Sequence, residues 1–82
     1  MLNLGRTSYQ GYCQDANGVD GSIFDATYGS QTVEHCAVKC SARPECTAFG
    51  YNNNYCGLFK DGPYTSGDGD LDVTCYLMKE GI

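Results

Sequence analysis

The apolar positions of this chain change period near its middle. Val33, Cys36, Ala37 and Cys40 fall at i, i+3, i+4 and i+7, the spacing of one buried helical stripe. Thr32 is placed to cap the amino end, and Glu34 sits in the first turn, where the helix dipole favours an anion. The polar run SAR and then Pro44 stop the helix, so the pattern predicts one α-helix over about 32–42. From Cys46 the period becomes two. In CTAFGY, Thr47, Phe49 and Tyr51 share one face of a strand, and Cys46, Ala48 and Gly50 share the other. Asn52, Asn53 and Asn54 predict a turn, because Asn tolerates positive φ. YCGLFK returns as a strand with Cys56 and Leu58 on one face, which completes a β-hairpin.

The flanking segments carry weaker patterns. YQGYC (9–13) alternates aromatic and small residues and predicts a short strand. QDANGVDGS (14–22) is turn chemistry, with Asn17-Gly18 and Asp20-Gly21 as turn dipeptides. IFDATY (23–28) predicts another strand, and DGPYTSGDGD (61–70) a long polar loop. LDVTCYLM (71–78) closes as a strand with Leu71, Val73, Cys75 and Leu77 alternating onto one face. Residues 1–8 read as an extended lead-in, and 9–82 as a single domain without repeats or a linker.

A chain of 82 residues buries little apolar surface and usually needs covalent staples. Six cysteines, an even number, supply three. Disulfides persist in oxidising compartments, so an extracellular or secretory location is expected. Residues 1–6 show no basic region followed by a long apolar run, so no signal peptide is visible, and the chain is read as a mature or excised domain. No stretch reaches the roughly 20 apolar residues of a membrane span. A net charge of −5 argues against nucleic acid and anionic membrane as partners. Tyrosine is abundant, with seven copies and no Trp; it suits binding surfaces and also fills small cores.

Six cysteines allow 15 pairings. Cys36 and Cys40 point the same way from one helix, which disfavours a link between them. Cys40 and Cys46 flank a short turn, Cys36 faces the hairpin that carries Cys56, and Cys13 and Cys75 remain to join the two ends. TVEHCAVKC, then PECTAFGY, then YCGLF and a late VTCYL resemble a PAN/apple domain, with Cys36, Cys40, Cys46, Phe49, Cys56 and Leu58 the most telling positions. The resemblance covers roughly residues 12–77. It implies an α+β, disulfide-rich fold: a curved antiparallel sheet of about five strands with one helix across it. It also implies the pairs Cys13–Cys75, Cys36–Cys56 and Cys40–Cys46.

No catalytic residue is expected. The one histidine, His35, points away from the cysteine face, and a bridged cysteine offers no thiolate. Asp68 and Asp70 lie in a loop without an apolar pocket to raise a carboxyl pKa. Zinc is disfavoured by one His and no C-x-x-C pair. Calcium is disfavoured too: Asp68, Asp70 and Asp72 alternate without wrapping an ion, and in QDANGVDG Asp20 stands where an EF-hand needs glycine. No cofactor is expected, and no Asn lies in an N-glycosylation acceptor. The remaining activity is binding. Domains that the chain resembles bind proteins or carbohydrates, and Tyr55, Lys60, Asp61 and Tyr64 cluster in sequence as the candidate ligand site. The first expectation is a non-catalytic extracellular adhesion module for a carbohydrate or protein ligand. The alternative is a structural subunit that self-associates through exposed strand edges into an oligomer or filament.

Overall fold

The computed structural model describes residues 7–78. The elements in order are β1 (Ser8–Gln10), β2 (Cys13–Gln14), β3 (Ser22–Tyr28), α1 (Val33–Ser41), β4 (Cys46–Asn52), β5 (Tyr55–Lys60), β6 (Ser66–Gly67) and β7 (Thr74–Leu77). Five strands form one antiparallel sheet in the order β1-β7-β4-β5-β3, and β2 pairs with β6 in a separate ribbon. This is the small disulfide-rich sheet with one helix that the sequence predicts. Of the lead-in, residues 1–6 lie outside the described residues. Ser8 already pairs with Tyr76, and the Thr7 carbonyl accepts from the Leu77 N–H at 2.9 Å.

The helix forms where its caps and stripe require. Thr32 Oγ1 accepts from the His35 N–H at 3.1 Å, and Cys36, Ala37 and Cys40 are buried against the sheet. Beneath them lie Phe49, Cys56 and Leu58, with Phe49 stacked on Tyr76 at 5.3 Å. Successive strand residues face opposite ways. Ala48, Phe59 and Cys75 therefore build a second core on the other face, closed by Cys13 and Tyr64. The sheet thus has a helix on one side and the β2–β6 ribbon with its loop on the other. Disulfides join Cys36 to Cys56 and Cys40 to Cys46 on the helix side, and Cys13 to Cys75 on the ribbon side.

Four local expectations are corrected. The strand expected over 9–13 is broken at Gly11, whose φ of 101° turns the chain from β7 towards β6. Cys46 packs on the helix-side core rather than with Ala48, because a bulge between Cys46 and Ala48 adds a residue and reverses the alternation. The hairpin turn does not use positive φ: Asn52 Oδ1 accepts from the Asn54 N–H at 2.7 Å, and among the described non-glycine residues only Asp61, at 70°, has positive φ. The last strand begins at Thr74. Asp70 Oδ1 accepts from the Asp72 N–H at 2.8 Å and bends the chain, so Leu71 sits at the bend with 86% exposure.

The polar loop over 61–70 is also more ordered than its composition implies. It contains β6, and Gln10 Nε2 donates to the carbonyls of Asp70 at 2.8 Å and Val73 at 3.1 Å. The Thr65 N–H reaches the Gln14 carbonyl at 2.9 Å.

Candidate ligand-binding surface

The structure separates the four residues of the sequence-based site. Tyr55 begins β5 and Lys60 ends it. Five residue steps of strand put them about 17 Å apart. Lys60 and Asp61 are exposed next to each other at the far end. Tyr64 is buried. Its ring packs edge-on against Phe59 at 5.7 Å, its hydroxyl donates to the Lys60 carbonyl and accepts from the Ser22 N–H at 3.4 Å, and burial pushes its phenol pKa up. Tyr64 therefore anchors the loop over the second core and is not offered to a ligand.

Tyr55 instead belongs to a cluster that the sequence reading missed. The register pairs Tyr28 with Tyr55, on the face of the sheet away from the helix. Their ring centroids are 5.4 Å apart, and Tyr12 meets Tyr55 edge-on at 6.2 Å. The Tyr55 ring lies forward along its strand over Gly57, which has no side chain to block it. Burial, and then Tyr12 and Tyr28, push the Tyr55 phenol pKa up to about 12. Tyr28 is 77% exposed, so it presents ring surface while its neighbour stays fixed. Sequence offset hid this set: 12, 28 and 55 meet only through strand register and the ribbon.

Aspartates border the cluster at Tyr12. Its backbone N–H donates to Asp68 Oδ1 at 3.0 Å. Its phenol pKa is raised by burial first and then by the negative charge of Asp70, Asp68 and Asp72. Asp68 Oδ1 also accepts from the Asp70 N–H at 2.9 Å, and Asp15 Oδ1 accepts from Asn17 and Val19 N–H groups at 2.9 and 3.1 Å. These carboxylates close turns of their own backbone. Among the described residues no three His, Cys, Asp or Glu side chains converge as metal ligands. All six cysteines are bridged, so none is available as a thiolate nucleophile.

Residues 12–81, most of the chain, match the profile of the PAN domain. The chain belongs to the PAN domain family. PAN domains are protein- and carbohydrate-binding modules and typically non-catalytic. No curated protein and no solved structure matches this PAN domain in the same comparisons. Among its described residues no helix is long and apolar enough to cross a membrane.

Proposed function

We propose that this PAN domain is an extracellular adhesion module that binds a carbohydrate or protein partner without catalysis, and that Tyr12, Tyr28 and Tyr55 form its contact surface. The observation that carries this reading is Tyr28, a residue 77% exposed whose ring still leans on Tyr55 at 5.4 Å. A held aromatic ring offers a ready platform for the C–H face of a sugar or an apolar side chain, at small entropic cost. The bordering aspartates retain lone pairs for ligand hydroxyl or amide donors. Three disulfides fit an oxidising, extracellular setting.

The test is a glycan array followed by titration of the best ligand. Tyr28→Ala should weaken binding by tenfold or more, and Lys60→Ala should leave it unchanged. The reverse ranking would move the site to the Lys60 and Asp61 end of β5. A second reading, self-assembly, draws on β3: it is a seven-residue edge strand with Ile23 42% exposed. Regular polymers by electron microscopy, with no glycan bound, would favour that reading.

A further inference from the structure

β3 lies at the edge of the sheet and carries no cysteine, whereas Cys46, Cys56 and Cys75 secure β4, β5 and β7. Its last residue, Tyr28, stands directly across from Tyr55, the first residue of β5. Opposed residues of an antiparallel pair hold their Cβ atoms about 4.5–5.5 Å apart on one face. The two rings meet at 5.4 Å with 52° between their planes. The backbone after Tyr28 is fastened to the hairpin turn. The Gly29 N–H donates to the Asn54 carbonyl at 3.0 Å, and the Gln31 N–H to the Asn53 carbonyl at 2.9 Å. Gln31 Nε2 reaches back to the Thr27 carbonyl at 2.9 Å. The main chain thus keeps the two tyrosines together, while the outer side of Tyr28 is open to solvent.

The other tyrosines are placed differently. Tyr12 meets Tyr55 at 6.2 Å and 74°, so the edge of one ring faces the plane of the other. Tyr51 and Tyr76 are 6.4 Å apart at 66° and pack on the helix-side core, with the Tyr51 hydroxyl donated to the Gln31 carbonyl and Tyr76 stacked on Phe49. Tyr64 is buried. Phenoxyl radicals couple through the ring carbons beside the hydroxyl. That calls for two rings in contact, tilted well short of perpendicular, with one of them open to an oxidant. Among the described residues the pair Tyr28 and Tyr55 meets all three conditions.

We infer that Tyr28 and Tyr55 are an oxidative cross-linking site, joined by a haem peroxidase and hydrogen peroxide into a dityrosine that staples the edge strand β3 to β5. Each phenol gives up one proton and one electron. The two radicals form a C–C bond between their Cε atoms, and each Cε hydrogen moves to the oxygen of its own ring, which restores both phenols. The peroxide takes up the two protons and two electrons, its O–O bond breaks, and two waters leave. The oxidising setting in which the three disulfides persist suits this chemistry. The site does not depend on what the tyrosine surface binds.

The experiment treats dilute, disulfide-intact protein with a haem peroxidase and one equivalent of hydrogen peroxide, then reduces, digests and maps the peptides by mass spectrometry. The product should be a monomer lighter by two hydrogens, with the Tyr28 peptide joined to the Tyr55 peptide and the blue fluorescence of a biphenol. Tyr28→Phe and Tyr55→Phe should each lower that fluorescence at least tenfold with cooperative thermal unfolding retained, and Tyr9→Phe should leave it unchanged. In the linked protein the β3 amides should exchange at least threefold more slowly, because the edge strand opens less often. Coupling only into dimers, a Tyr12–Tyr55 link in its place, links scattered over the other tyrosines, or no coupling would each overturn the inference. So would an equal yield of the Tyr28–Tyr55 link from the urea-unfolded chain, or unchanged exchange in β3.

Discussion

The phenol of Tyr55 lies between two tyrosine rings and over a glycine, and its proton is correspondingly hard to remove. Its pKa is about 12 when folded against 10.0 for the free group. Below about pH 10 both states are protonated and the contribution to stability is complete. Above it the unfolded chain loses this proton first, so stability falls as pH rises and the contribution is gone by about pH 12. Urea midpoints across this window should decline, and Tyr55→Phe should flatten the decline. Gly21 offers a second residue-scale test. A Cβ there would stand 2.6 Å from both Phe59 Cδ2 and Tyr64 Cε1, two buried rings with little room to retreat. Gly21→Ala should destabilise by about 1–3 kcal/mol in the same assay. Neither constraint is legible in the sequence. The burial of Tyr64 depends on where a polar loop folds back, and a tyrosine within DGPYTSGDGD looks like any exposed loop aromatic.

At the scale of elements, local patterns were readable and their interruptions were not. The stripe Val33, Cys36, Ala37, Cys40 and the capping Thr32 place α1, and the switch to alternation places β4 and β5. The bulge before Ala48, the break at Gly11 and the bend before Thr74 depend on partners distant in sequence, so no local period records them. The disulfides differ in the length of chain they enclose, with separations of 62, 20 and 6 residues. If restricting the unfolded chain dominates, removing each pair as Cys→Ala should cost about 4 kcal/mol for Cys13–Cys75, about 3 for Cys36–Cys56 and about 2 for Cys40–Cys46. Chemical denaturation of the three double variants checks the ranking, and an inverted order would show that native packing outweighs chain entropy.

For the whole molecule, the sheet order puts the helix on one face and the tyrosines on the other, in a body of 30 × 29 × 23 Å. The family was readable from cysteine spacing, whereas the contact surface was not, because residues 12, 28 and 55 converge only once β3 has paired with β5. In a full binding titration, Tyr28→Ala should therefore lower affinity without moving the unfolding midpoint, since its ring is mostly in solvent. The bond between Cys13 and Cys75 has a mechanical corollary. When the chain is tugged from its two extremities, tension runs across this one sulfur link and bypasses the loop of residues it encloses. In an optical trap the oxidised domain should keep residues 13–75 from extending, and a reductant should release that length. Such a tether would hold its shape under load whatever it grips.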